Sequence, residues 1–270
     1  MSEQASDPPT ELVHLDVADG DHVAVATITL DSPHNRNALS TALMAELLAA
    51  LSAAGGDDAV RAVVLSHTGP VFCSGADLKE TAAATAGGGA VPASRLGEVL
   101  AAVWECPKPV VARVGGPARA GGLGLIAAAD LAVCAADATF SFSEVRLGVI
   151  PAVISATVLR RLAPRAAAEL YLTGDVFDGR RAAEVGLVTA AVPTDAVDAA
   201  VDRYTAALVR GAPGALAGAK ELLHRLPQMT VRTDLVELSE LSARYFGSEE
   251  GMEGVRAFRE KRDPYWVPRG

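Results

Sequence analysis

The chain has 270 residues, half of them hydrophobic and 21% charged, with a formal net charge of -9 at pH 7 and a pI near 5.1. That length and a mean hydropathy of +0.25 provide for a sizeable globular core, built as one large domain or one domain with an appendage. The acidic balance argues against non-specific nucleic-acid binding and against attraction to anionic membranes, so any anionic ligand must be met by local Arg and Lys. The opening MSEQASDPPT carries no basic segment followed by an apolar one, and Asp130 interrupts the longest apolar run, so a cytoplasmic protein with no membrane partner is expected. Cys73, Cys106 and Cys134 are odd in number and far apart, which reads as reduced thiols. His14, His22, His34, His67 and His224 are equally scattered, and no metal site is expected.

In chain order, short apolar strands alternate with alanine-rich helical stretches up to about residue 195. Strands are expected at 23–30, 61–66, 109–114, 131–134, 139–143 and 187–192, and helices at 40–54, 93–105, 122–129, 153–162, 164–171 and 179–185. The segment 81–94, TAAATAGGGAVPAS, is low in complexity and reads as a surface loop or lid. Beyond 195 the pattern is wholly helical, at 195–210, 213–225, 233–246 and 249–261, the last with Ser248 as its cap and Glu249 and Glu250 in its first turn. The fold class is therefore α/β, with a core over 1–195 and a helical region over 196–270.

One internal echo carries chemistry. RAVVLSHTGPVFCSGADL (61–78) and KPVVARVGGPARAGGLGL (108–125) each run from a Val-Val strand through a Gly-Pro pair to a second glycine, Gly75 or Gly121, that opens a helix. If the two strands are neighbours, both glycine turns lie at one sheet edge, and each offers an unpaired N–H at a helix start. Two such donors converging from separate units make an oxyanion hole. Gly122, Gly124 and Ala127 also satisfy the G-x-G-x-x-A spacing of a dinucleotide fingerprint. That reading needs a full helix and an acidic residue some 20 positions on, whereas the helix here is cut near Asp130. The plain alternative is a glycine turn used for tight packing alone.

The segments HNRNALS (34–40), VFCSGADLKE (71–80), AGGLGLIAAADLAV (120–133), SEVRLGVIP (143–151), LTGDVFDGRRAAEVGLV (172–188) and SEEGMEGVRAFREKRDPYW (248–266) together resemble the enoyl-CoA hydratase/isomerase, or crotonase, family. The resemblance runs from about residue 12 to the C-terminus. It implies a crotonase-like spiral of ββα units, a C-terminal helical trimerisation region, a homotrimer or dimer of trimers, and an acyl-CoA thioester as substrate. Coenzyme A would arrive on the substrate, so no separate cofactor is expected. The implied oxyanion donors are the N–H groups of Ala76 and Gly121, the turns already marked by the echo. Ser74, Asp77 and Leu78 would line the adenine end of coenzyme A, and Arg36 and Ala38 the pantetheine and phosphates. Phe258 and Lys261 match positions where the last helix reaches coenzyme A. Arg36 could equally be a solvated arginine, and Lys261 a helix-end lysine complementing the dipole.

In catalysis the sequence departs from the family pattern. Hydratases of the family use two glutamates; the second is Glu144, but the first falls on Gly124, which has no side chain. Glycines that often follow Ile150-Pro151 are replaced by Ala152, Val153 and Ile154, so the pocket wall at Pro151 is expected to be bulkier. A carboxylate leaving the apolar strand TFSFS at Glu144 would have its pKa raised by desolvation, which suits proton transfer near neutrality. The alternative for Glu144 is a salt bridge to a neighbour such as Arg146. Arg119 could orient a substrate carboxylate, fix a carboxylate within the protein, or be a surface arginine. The variant pattern resembles hydratases of leucine and isoprenoid catabolism that take branched or carboxylated esters such as 3-methylglutaconyl-CoA. The alternatives are a Δ3,Δ2-enoyl-CoA isomerase, for which one glutamate suffices, and a non-catalytic acyl-CoA-binding protein.

Overall fold

The computed structural model describes residues 11–17, 25–77, 79–80, 83, 93–225 and 231–267. The expected lid over 81–94 and Leu78 therefore lie almost wholly, and in the case of Leu78 entirely, outside the described residues. Strands β1 (Val13–Val17), β2 (Val25–Leu30), β3 (Ala62–His67), β4 (Val110–Val114), β6 (Leu131–Ala135) and β9 (Ala190–Val192) form a six-stranded sheet in the order β1-β2-β3-β4-β6-β9. Only β1 runs antiparallel to its neighbour; the other pairs are parallel. All six residues of β3 are buried, as expected of a strand covered on both faces. A second, three-stranded sheet joins β5 (Ala118–Arg119), β7 (Thr139–Ser141) and β8 (Phe177–Asp178).

The helices are α1 (Thr41–Gly56), α2 (Ala93–Glu105), α3 (Gly121–Ala128), α4 (Ser155–Val158), α5 (Pro164–Thr173), α6 (Gly179–Glu184), α7 (Val197–Leu208), α8 (Pro213–His224), α9 (Val231–Gly247) and α10 (Glu249–Glu260). Three of the described helix starts are capped by side chains with the expected chemistry, among them Asp178, which accepts from the Arg181 N–H at 2.8 Å at the head of α6. Ser40 accepts from the Leu43 N–H, and Ser248 accepts from the Gly251 N–H at 3.0 Å with Glu249 and Glu250 in the first turn of α10. All eight residues of α3 are buried, and it packs between α2 and α4. On the far side, α7 lays Val197, Ala200 and Val201 against the core and packs on β4 and β6.

Three expected elements are shorter than their sequence pattern. The helix expected over 153–162 is regular only from Ser155 to Val158, because the chain continues in i→i+3 bonds (Arg160 N–H to Thr157, Arg161 N–H to Val158). The strand expected from 187 starts at Ala190, since Leu187 and Val188 still fold back onto the Ala182 carbonyl around Gly186, whose φ is +86°. The strand expected over 139–143 stops at Ser141, and Ser143–Leu147 winds into a 3-10 turn. β1, β5 and β8 are not signalled by apolar runs; their pairing partners define them.

Asp130, which ends the apolar run after α3, joins the two halves of the chain. Its carboxylate accepts from the Val110 N–H at 2.8 Å and meets the Lys220 ammonium of α8 at 2.7 Å, with side-chain exposures of 14% and 7%. The Lys220 ammonium also donates to the carbonyls of Val103 and Lys108. A buried pair so well supplied with further partners is costly to break from one side. Lys220→Ala is expected to lower unfolding stability by about 3–5 kcal/mol, read by denaturant titration; a loss under ~1 kcal/mol would show that α8 does not depend on the pair.

Candidate active site

β3 and β4 are adjacent and parallel, with Val63 opposite Val110 and Val64 opposite Val111, so the echoed segments leave the sheet side by side. They remain paired beyond it: the Phe72 N–H donates to Pro117 and the Arg119 N–H to Cys73, each at 3.0 Å. The 34–40 turn joins as a third segment, with the Leu39 N–H donating to Gly75 at 2.8 Å and the Ser74 N–H to Arg36 at 3.0 Å. Asn37, fully buried with φ +53°, pins this turn: its side chain accepts from Ser32 N–H and donates to the carbonyls of Thr68 and Val71.

This ladder brings the two glycine turns into contact. A Cβ on Gly75, whose φ is +92°, would sit 2.9 Å from the Ala120 Cβ and 3.5 Å from the Gly121 nitrogen. A Cβ on Gly121 would sit 2.7 Å from Leu39 Cδ1 and 3.7 Å from the Gly75 Cα. Glycine is required at Gly75, and at Gly121 a side chain would have to displace the end of Leu39. Ala120, between Arg119 and Gly121, is held at φ +45°, ψ -115°, a strained conformation for a residue with a Cβ. Among the described residues, neither the Ala76 N–H nor the Gly121 N–H donates to a protein acceptor. The Gly121 N–H also stands at the positive end of the α3 dipole.

Glu144 lies in the 3-10 turn that follows β7. Burial pushes its carboxyl above the usual carboxylate range, against a smaller opposing hydrogen bond from its own backbone, and its Oε2 is buried with no hydrogen-bond partner among the described residues. The salt bridge considered for it is absent: Arg146 turns to Asp175 and to the Thr173 carbonyl instead.

Gly124, on α3, is closed off. A Cβ there would sit 2.6 Å from Ile154 Cγ2 and 3.2 Å from Leu100 Cδ2. The Ile154 side chain therefore occupies the direction in which a glutamate on α3 would project. The Thr157 hydroxyl lies 3.2 Å from the Gly124 carbonyl and 3.1 Å from the Ile154 carbonyl, so its single proton serves both and holds α4 against α3. Pro151 is buried at the head of this wall, where its carbonyl accepts from the Ser155 hydroxyl at 2.7 Å.

The remaining candidates divide. Arg36 (φ +62°), Ala38, Ser74 and Asp77 fall on the two segments that meet beside Gly75. Phe258 and Lys261 do not join them within one chain. Phe258 is 86% exposed, Lys261 closes α10 in the left-handed conformation, and the ties of α10 run to α9 and, through Glu250, to Gly214. Arg119 is spent inside the protein: its guanidinium donates to the Thr139 carbonyl and hydroxyl and to the Ala118 carbonyl, bracing β5 on β7. It reaches backbone and hydroxyl acceptors, whereas carboxylates were the partners considered for it. Tyr171 was not singled out in the sequence, because a lone tyrosine in an amphipathic helix reads as packing. The dinucleotide match is accidental: α3 ends after eight residues and β6 begins at Leu131.

Two unpaired backbone N–H groups on neighbouring turns, a desolvated carboxyl with a raised pKa and an apolar wall are the chemical ingredients for holding an oxyanion and moving a proton. The enoyl-CoA hydratase/isomerase family profile matches residues 20–269. An enoyl-CoA hydratase from Mycobacterium avium is 43% identical, with 95% of this chain and 99% of that one covered and a TM-score of 0.69. Pseudomonas aeruginosa AtuE is 37% identical, with 95% and 100% covered and a TM-score of 0.87. The 2,3-dehydroadipyl-CoA hydratase of Escherichia coli is 29% identical, with 89% and 94% covered. The chain belongs to the enoyl-CoA hydratase/isomerase family and is an enzyme of that family with the crotonase-like α/β fold.

The fit between Gly124 and Ile154 is directly testable. Gly124→Ala is expected to cost about 1–3 kcal/mol through overpacking, and adding Ile154→Ala should recover much of that loss as a coupling energy in a double-mutant cycle. Strict additivity, measured by thermal denaturation, would show that the two positions do not meet.

Proposed function

We propose that the enzyme adds water to a 2-enoyl-CoA thioester, with the Ala76 and Gly121 N–H groups holding the enolate oxygen and Glu144 transferring the proton at the α-carbon and orienting the water. The observation that carries this reading is the meeting of the two free N–H groups through the Gly75–Gly121 contact. Preorganised donors aimed at developing charge are the largest single contribution in reactions of this kind. The raised pKa of Glu144 suits a group that must both take and return a proton.

In this reading Arg36, Ala38, Ser74 and Asp77 meet coenzyme A, and Leu78 continues that surface. Gly124 and Pro151 belong to the acyl pocket. Phe258 and Lys261 meet coenzyme A only if a neighbouring chain carries them to it. The exposed Phe246, Met252, Val255 and Phe258 of the last two helices suit assembly as a homotrimer or dimer of trimers. The preferred ester is branched or carboxylated, such as 3-methylglutaconyl-CoA; the support is the relative named for 2,3-dehydroadipyl-CoA, whose acyl chain ends in a carboxylate. Arg119 is not the group that would meet such a carboxylate. One observation favours a second reading, a Δ3,Δ2-enoyl-CoA isomerase: Ile154 fills the space above Gly124, and a single glutamate suffices to shuttle a proton between carbons.

Glu144→Gln is expected to lower turnover by roughly 10²–10⁴ with little change in binding of the CoA ester. In the unmodified enzyme, the acidic limb of kcat/KM should lie above the ordinary carboxylate range, because the folded-state pKa is raised and a base is active only above it. Offered a panel of 2-enoyl-CoA esters, the protein should form species one water heavier by mass spectrometry, fastest with the branched or carboxylated members. Conversion of 3-enoyl esters with no water adduct from any 2-enoyl ester would replace the hydratase with the isomerase.

A further inference from the structure

The apolar closure at Gly124 leaves Glu144 without a second carboxylate opposite it, yet other polar groups stand beside it. The 3-10 turn bearing Glu144 packs on α5. From α5, the Tyr171 ring lies against Phe142 with centroids 4.6 Å apart, and its hydroxyl is 3.4 Å from the Ser155 hydroxyl of α4. Glu169, also on α5, is taken by Arg181 at 2.8 Å, and Arg146 by Asp175, so neither charge is available to Glu144. α3 carries no titratable side chain.

We propose that Tyr171, steered by Ser155, is a positioning residue for Glu144: its phenol hydrogen-bonds the ionised carboxyl and returns to Ser155 when that carboxyl is protonated. The proposal rests on the reading of Glu144 as the proton-transfer group. The Ser155 hydroxyl has one proton and gives it to the Pro151 carbonyl at 2.7 Å. The 3.4 Å contact can therefore be made only with Tyr171 as donor, at the outer limit of hydrogen-bond length. A carboxylate is a much stronger acceptor than a hydroxyl, and Glu144 Oε2 is buried without a partner among the described residues. Burial pushes the Tyr171 phenol above its usual range, opposed by the hydrogen bond with Ser155 and aided to a smaller extent by the charge of Glu144, so it remains a donor throughout the working pH range. Carboxyl and phenol make no direct hydrogen bond in this structure. The link closes by rotation of the Glu144 side chain or through one bridging water.

The test compares Tyr171→Phe, which keeps the ring against Phe142, with Ser155→Ala and Glu144→Gln, using a 2-enoyl-CoA ester and following kcat and kcat/KM across pH. A donor to the ionised carboxyl lowers its pKa, so losing it should move the acidic limb to higher pH by roughly one to two units. kcat should fall about ten- to a hundred-fold, as for a lost hydrogen bond to a charged group, with KM little changed. Ser155→Ala, which frees the phenol, should move the limb by less than Tyr171→Phe does. A Tyr171→Phe enzyme with an unmoved limb and kcat within about twofold, beside an inactive Glu144→Gln, overturns the role of Tyr171 and leaves that of Glu144 standing. Near-unmodified turnover in Glu144→Gln overturns both.

Discussion

The contact between Gly75 and Gly121 is the constraint on which the rest of the site depends. Two helix-opening turns from different parts of the chain approach so closely that a side-chain carbon at Gly75 would strike Ala120 of the other turn, while one at Gly121 would lie 3.7 Å from the Gly75 Cα and press on Leu39. Such an approach needs the preceding strands in one register, which β3 and β4 supply, and needs the Phe72–Ala76 and Pro117–Arg119 segments to stay paired after the sheet ends. It also needs the 34–40 turn held flush, which the buried Asn37 amide does by closing three hydrogen bonds to backbone. What remains is tension at Ala120, whose positive φ is the local cost of aiming the Gly121 N–H outward.

The electrostatics follow from the same economy. Around the site the charges are already answered within the protein: Arg146 by Asp175, Arg181 by Glu169, Asp130 by Lys220, and Arg119 by the acceptors of Thr139 and Ala118. Among the carboxylates of the described residues, Glu144 alone contributes a buried side-chain oxygen without a partner. A carboxyl left unanswered in a partly buried place has its pKa raised, which suits one group to serve as acceptor and donor of a proton in turn.

How much of this was legible in the sequence depended on whether the signal was local. The echo of 61–78 in 108–125 foretold adjacent strands and converging glycines because Gly-Pro pairs and Val-Val strands are written in single residues. The Ser248 cap and the premature end of α3 at Asp130 were equally legible. The three shortened elements were not, because apolar runs such as 187–192 continue through turns that only Gly186 and the Ala182 carbonyl define. Arg119 was misjudged for a related reason. Its partners come from Thr139, twenty residues on, and a pattern of charges cannot tell a guanidinium facing a ligand from one bracing two short strands. Tyr171 was missed since its neighbours Phe142 and Ser155 meet it only in three dimensions.

Gly124 and Ile154 are one structural decision made at two positions. A side chain on α3 at 124 would overlap Ile154, so acquiring a carboxylate there first requires removing Ile154. Ile154 is 3% exposed, and truncating such a residue ordinarily costs about 2–5 kcal/mol through lost burial and the cavity left behind. With Gly124 retained, that cavity has nothing to fill it; with Ile154 retained, a larger residue at 124 overpacks the helix pair. Each single step is therefore penalised without relief from the other, so the apolar wall resists piecemeal change. Any second polar group that assists Glu144 must then come from an element other than α3, and α5, already packed on the turn that carries Glu144, is the element in position to supply it.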